Sequence, residues 1–399
     1  MSDWKKITVI GDIMCEPPLF EQVKKNGGYD FAPVFQPLKG LLSEADYVIG
    51  NLETPLAGEA AGYTASMVSF NTPEELAVTL KDLGVDLVST ANNHCTDRGI
   101  EGAVETVKTL DRIGLPHTGT YADPDTEERN YYFKLGDTTV AVVAYTVSNN
   151  ATVDLEAVGK RYINTLKPSM KTPTSPPVDP RWNATKEFIR ETTGYKLEWI
   201  EGIKLKRVLG ISVAYADDRF EPEKYEPFLK YMDEDLNEAK KHADVVLFVP
   251  HTGGQFNTQP GHISKYVVQR ALLAGADAVF AAHSHTTQMA AYREGKPCFY
   301  SLGNVTMWPH SDYSVVESLP EYGIAAHVYV GEGKIQKTSF SLFKMVQEGE
   351  DPLRIIPVDE LYATLTDEAE KTKLAADVAA VAERICGRAG EPIRREYDL

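Results

Sequence analysis

Ala276-Asp277-Ala278-Val279-Phe280-Ala281-Ala282-His283-Ser284-His285 is a short apolar run followed at once by paired histidines. An apolar run of this length without polar alternation is the mark of a strand buried on both faces. The same arrangement recurs along the chain. Ile7-Thr8-Val9-Ile10-Gly11 ends at Asp12, Ala45–Gly50 leads to Asn51 and Glu53, Val85–Ser89 leads to Asn92, Asn93 and His94, and Ala243–Val249 leads to His251. Five strand-like runs therefore each deliver polar residues at their carboxyl ends.

Helical patterns separate these runs, over Glu74–Leu83, Gly102–Ile113, Tyr225–His242 and Ile263–Ala274. Strand–helix alternation predicts an α/β fold with a parallel sheet, in which ligands bind beyond the carboxyl ends of the strands. Two further strands are expected at Thr138–Thr146 and Val208–Ala214. Between them lies the least regular part of the chain, with the Pro/Ser/Thr-rich stretch Lys167–Pro177, which forms no regular element. Residues 156–210 carry eleven Lys/Arg and six Asp/Glu. A basic insertion of this kind suits a lid over an anionic substrate, and equally a solvated loop.

Toward the end, Gly323–Val330 and Lys337–Phe343 flank Gly331-Glu332-Gly333, a hairpin pattern. Leu374, Val378, Val381 and Ile385 then make one face of a helix stopped by Gly387. The expected organisation is one domain over residues 1–345, with an insertion at about 150–207, and a helical extension over 346–399 packed on it.

The whole chain is 399 residues with 41 Lys+Arg against 58 Asp+Glu, a net charge of −17. That balance argues against nucleic acid as the main partner and against a polybasic membrane anchor. No apolar run approaches the length of a membrane span, and Met1–Lys6 shows no signal-peptide pattern. Cys15, Cys95, Cys298 and Cys386 are widely spaced and match no disulfide framework or CxxC site. The expectation is a reduced, cytoplasmic protein.

Asp12, Glu53, Asn93, His251, His283 and His285 form a ligand set of carboxylates, an amide and imidazoles, suited to Mn, Fe or Zn. Six ligands exceed the needs of one tetrahedral ion and suit two ions about 4 Å apart that share a bridging carboxylate. Asn51 and Asn92 fit either as ligands or as braces of turn backbone. Asp97 fits either as the partner of His94 or as the cap of the following helix.

These stretches resemble the CapA family of poly-γ-glutamate capsule biosynthesis proteins, which is similar to the calcineurin-like metallophosphoesterases. The resemblance rests on Gly11-Asp12, Gly50–Leu56, Ala91–Gly99 with Gly102, His251-Thr252-Gly253, Ala282–His285 with Gln288, and Tyr300–Asn304, in that order. It implies a metallophosphatase-like four-layer αββα sandwich. It also implies that Asp12 and His285 hold a first ion, that Asn93, His251 and His283 hold a second, and that Glu53 bridges them. His94 would be the general acid or a hydrogen-bond donor to the substrate, with Asp97 holding its ring. Many members of the family carry an N-terminal membrane helix, for which this sequence shows no pattern.

Two positions depart from the expected patterns. Met14 stands where the related esterases' Asp-x-His has its histidine, which the CapA family also lacks, and Gln255 stands where that family's His-Trp-Gly-x-Glu block has its carboxylate. The first ion should therefore bind more weakly. The expected function is a metal-dependent hydrolase using one or two divalent ions on an anionic substrate, a phosphate ester or poly-γ-glutamate. The alternative is an accessory protein that binds such a polymer without cleaving it. His117, His242, His262, His310 and His327 have no supporting pattern and read as surface or packing residues. Cys15 and Cys95 read as small buried residues.

Overall fold

A computed structural model describes residues 4–151, 159–166, 180–197, 199–209, 222–311, 314–349 and 351–399. Most of the Pro/Ser/Thr-rich stretch lies outside the described residues, and with it the centre of the expected lid. The strand expected over Val208–Ala214 is not present at its start. Val208 closes the helix Trp199–Val208, and residues 210–214 are outside the described residues.

Among the described residues there are two large sheets. The first runs Arg354–Pro357, Lys334–Val346, Tyr322–Gly331, Lys5–Ile13, Tyr47–Leu52, Leu87–Ser89 and His117–Thr118. Asn304–Thr306 pairs with Lys5–Ile13, and Tyr397–Asp398 pairs with Lys334–Val346. The second runs Ala290–Arg293, Lys296–Phe299, Ala278–Phe280, Val245–His251, Thr138–Thr146 and Tyr131–Leu135. The central strands are parallel, as the strand–helix alternation requires. Both sheets are nonetheless mixed: Tyr322–Gly331 pairs antiparallel with Lys5–Ile13 from far along the chain, and further antiparallel strands are added toward the edges. Short connections permit the hairpin pairs, whereas a parallel pair needs a crossover.

Side-chain alternation builds the layers. Val140, Val142 and Ala144 face the first sheet, where they meet Ile7, Val9 and Ile49. Ala141, Val143 and Tyr145 face outward against the helices Pro222–His242 and His262–Ala274, through Leu229, Met232, Leu236, Ile263 and Val267. The outer face of the first sheet is covered through Leu19, Phe35, Leu76, Leu80 and Leu110. The result is a four-layer αββα sandwich. Each fully buried Val or Leu in these layers contributes roughly 1.5–3 kcal/mol.

The C-terminal segment closes the sandwich. Leu374, Val378, Val381 and Ile385 of the helix Glu368–Cys386 join the core between the sheets, and Gly387 ends the helix at φ 72°. Two strands of this segment, Arg354–Pro357 and Tyr397–Asp398, extend the first sheet. No helix of the described residues is long and apolar enough to cross a membrane.

Candidate metal centre

Carboxyl ends of both sheets converge on one buried cluster. Asp12 lies near the end of its strand, where the chain passes so close to Gly303 that a side-chain carbon on Gly11 would sit 2.0 Å from the Gly303 carbonyl oxygen. Only glycine permits that approach, and it lets the Asp12 amide donate to Gly303 at 3.0 Å. Glu53 follows Tyr47–Leu52 and donates its amide to Ile13. His251 ends Val245–His251 and bridges to Ala282, which places it beside the His283–His285 turn. His283 and His285 have φ of 100° and 52°, left-handed conformations that are uncommon for non-glycine residues and cluster at functional sites.

The six expected ligands come together. His251 Nε2 lies 2.6 Å from Asn93 Oδ1, 3.0 Å from His283 Nδ1 and 3.2 Å from Glu53 Oε1. Asp12 Oδ2 lies 3.5 Å from His285 Nδ1, and His285 Nε2 lies 3.8 Å from Glu53 Oε1. Ligand atoms of Glu53, His251 and His283 lie within 4.8 Å of one another, as do those of Asp12, Glu53 and His285. Glu53 is common to both groups. Its two carboxylate oxygens are buried and accept no hydrogen bond. A buried carboxylate without donors is costly unless a cation compensates it, so the donor set fits divalent metal.

Electrostatics agree with this reading. Burial disfavours the Asp12 charge. Hydrogen bonds from His285 and Asn51 and the adjacent imidazoles nonetheless hold the carboxyl well below the usual range. Burial, followed by the charges of His251 and His285, holds His283 well below an ordinary histidine. Burial also acts against charge on His285, but Glu53 and Asp12 outweigh it and push the imidazole up to about 9. A divalent ion entering such a site displaces protons from its ligands.

Around the ligands sits a ring of amides. Asn51 donates Nδ2 to Asp12 Oδ1 at 2.7 Å, and the same nitrogen lies 3.2 Å from His251 Nδ1. Asn92 donates to the Leu52 carbonyl at 2.7 Å and accepts the His94 amide, so it braces backbone. His94 Nδ1 lies 2.6 Å from Asp97 Oδ2, and Phe70 packs on its ring with centroids 4.3 Å apart. Asp97 does not cap the following helix, Gly99–Ile113, which has no side-chain cap. Met14 is buried, and Gln255 is half-buried in the turn after His251. Cys15 and Cys95 are buried and free, and burial pushes the Cys95 thiol up to about 12.

Two residues close to the ligands carried no recognised role in the sequence. Asn304 Oδ1 meets His285 Nδ1 at 2.9 Å, and Asn150 Oδ1 accepts from Asn93 Nδ2 at 3.1 Å. Asn304 belongs to the quoted Tyr300–Asn304 block. Asn150 has no sequence signal, since nothing local connects it with Asn93.

Comparison with known proteins gives the same family as the motifs. The chain is 25% identical over 297 residues to the PGA biosynthesis protein CapA of Bacillus subtilis (strain 168), covering 74% of this chain and 61% of that protein. It is 23% identical over 302 residues to the capsule biosynthesis protein CapA of Bacillus anthracis, covering 75% and 58%. The chain thus spans about three fifths of the length of these relatives. Among solved structures, a hypothetical protein from Thermus thermophilus aligns with a TM-score of 0.42 at 15% identity, over 85% of this chain and 99% of that one. A Staphylococcus aureus protein provisionally named 5′-nucleotidase, in complex with alpha-ketoglutarate, aligns with a TM-score of 0.40 at 14% identity, over 94% and 57%. The profile described as bacterial capsule synthesis protein PGA_cap matches residues 6–307. The chain therefore belongs to the PGA_cap family of bacterial capsule synthesis proteins, with the CapA proteins among its relatives.

Proposed function

We propose that this chain is a metal-dependent hydrolase of an anionic substrate. The observation that carries the reading is Glu53, a buried carboxylate with two unpartnered oxygens among Asp12, His251, His283 and His285. Asp12 and His285 would hold one ion, Asn93, His251 and His283 the other, and Glu53 both. Bound divalent ions of the Mn, Fe or Zn type would supply an activated water and charge stabilisation at the reacting centre.

The chain's own groups supply the rest. Asp97 holds the His94 Nδ1 edge, which leaves Nε2 to exchange a proton with the leaving or equatorial oxygen of the substrate. Phe70 fixes the ring plane. The capsule-related names of its relatives favour poly-γ-glutamate, a polymer of carboxylates, as the substrate class alongside phosphate esters. The four free cysteines suit a reducing compartment such as the cytoplasm.

A second reading is an accessory protein that holds the polymer without cleaving it. Met14 and Gln255 favour it, because the first removes a histidine that the related esterases have and the second a carboxylate of the family's own block. Elemental mass spectrometry on protein purified without chelator, beside the His251→Ala/His283→Ala double variant, tests the centre. One or two equivalents of Mn, Fe or Zn in the native chain alone are expected. Absence of metal even after Mn²⁺ is added would overturn the metal centre. Metal without hydrolysis of nitrophenyl phosphates or of a γ-glutamyl anilide would favour the accessory reading.

A further inference from the structure

The Tyr300–Asn304 block supplies no ligand to the proposed centre, yet Asn304 is fully buried against it. Its Nδ2 faces three acceptors, the His285 carbonyl at 2.9 Å, the Pro320 carbonyl at 3.2 Å and Met307 Sδ at 3.1 Å. Carbonyl oxygens cannot donate, so the amide can point only one way. Its Oδ1 must then face His285 Nδ1, 2.9 Å away. An amide oxygen accepts only, so Nδ1 must carry a proton, and Nε2 is the nitrogen left to ligate once an ion displaces its own proton.

We propose that Asn304 is a positioning residue that keeps the proton on His285 Nδ1 and holds its backbone, so that Nε2, which faces Glu53, is the nitrogen offered as a metal ligand. It grips His285 at both ends, by ring and by carbonyl. The second grip matters because His285 stands at φ 52°. The following residues are held from elsewhere. Arg384 of the C-terminal helix donates to Thr286 Oγ1, to Thr287 Oγ1 and to the Ser318 carbonyl. Asn304 itself is placed by the close passage of Gly11 past Gly303, so one block sets both Asp12 and His285. The ion of Asp12, Glu53 and His285 lacks a ligand at Met14 and so depends most on the aim of its single imidazole. This proposal rests on the metal-centre reading above.

Mn²⁺ titration of chelator-treated protein tests it. Asn304→Ala should weaken one Mn²⁺ by about 10–100-fold, as loss of an outer partner of a ligand does, and leave the other within about threefold. In a His285→Ala background the same substitution should change Mn²⁺ affinity less than about twofold. An equal loss in both backgrounds, or none in the native one, would overturn the proposal. Long-range proton–nitrogen correlation spectra of ¹⁵N-histidine-labelled native protein need no variant. They should show His285 protonated at Nδ1, and protonation at Nε2 alone would overturn the assignment. A native chain that binds no Mn²⁺ but shows the Nδ1 tautomer would remove the metal centre and with it the function given to Asn304, whereas an Nε2 tautomer in a chain that binds Mn²⁺ would remove Asn304 alone.

Discussion

Asp97 Oδ2 lies 2.6 Å from His94 Nδ1 and accepts the Phe70 amide at 2.7 Å as well. One carboxylate oxygen therefore aligns both the imidazole and the aromatic ring that packs on it. His94 is not among the converging ligand atoms. His94→Ala should keep the metal and lower turnover by roughly 10²–10⁴-fold. Asp97→Asn should act in the same direction but less, because a neutral amide oxygen held by the Phe70 amide stabilises a protonated His94 ring less than a carboxylate does. Metal content and kcat of both variants check this, and loss of metal from His94→Ala would make His94 a ligand instead.

Asn150 sits between His94 and Asn93. Its Nδ2 is 3.3 Å from His94 Nδ1 and 3.2 Å from Nε2, a near-equality that puts the amide over the ring face and leaves the in-plane position at Nε2 free. Its Oδ1 takes the Asn93 Nδ2 proton, which turns Asn93 Oδ1 toward His251. Asn150→Ala should weaken Mn²⁺ binding several-fold. In an Asn93→Asp background, where both oxygens can ligate, the effect should nearly vanish. A loss of equal size in that background would mean that Asn150 acts on the loop and not on the amide.

Glu53 ties metal to stability. Its oxygens accept no hydrogen bond, and its charge faces the His251 and His285 rings, 3.2 and 3.8 Å from Oε1. Glu53→Gln should abolish the rise in melting temperature on adding Mn²⁺ to the metal-free protein. For the native chain that rise corresponds to about 2.7 kcal/mol at a hundredfold excess over Kd. Calorimetry with and without Mn²⁺ reads the effect, and a Glu53→Gln protein that still gains stability from Mn²⁺ would remove Glu53 from the ligand set.

His327 makes an acid-stability prediction away from the site. It is buried between Thr8 Oγ1 at 2.9 Å and Ser341 Oγ at 3.0 Å, and burial, with the charge of Lys6 next, pulls it down to about 3. The folded state then binds fewer protons than the unfolded state between pH 6.5 and about 3, so stability falls as pH falls through that window. The full effect is on the order of 3–5 kcal/mol. Glu396, pulled down to about 2 against its burial by Ser339, Lys6 and Tyr329, adds loss in the same direction below pH 4.5. Urea unfolding from about pH 7 to about pH 4 should show a shallower decline for His327→Gln than for the native chain, and parallel curves would contradict the assignment.

The strands, the helices and the residues that converge at their ends were legible for one reason. Apolar runs such as Val245–Val249 and Ala278–Phe280 are local signals, and a polar residue at a strand end is placed by that strand alone. The edge strands Ala290–Arg293 and Lys296–Phe299 were not legible, because half-exposed residues such as Tyr292 give no continuous apolar run. The closing segment read as a helix. Its pairing with the first sheet through Arg354–Pro357 and Tyr397–Asp398 depends on partners far away in the chain.

The sequence by itself determined the α/β layering and the identities of Asp12, Glu53, Asn93, His251, His283 and His285, because these follow from composition and order within short stretches. The tertiary structure alone decided what orients them. Asn51 reaches Asp12 across 39 positions, Asn150 reaches Asn93 across 57 and Asn304 reaches His285 across 19. An asparagine looks the same in a turn as beside a ligand. Only the packing of one sheet on another brings its amide within about 3 Å of the atom it holds, and only the carbonyls around it decide which end of that amide faces the ligand.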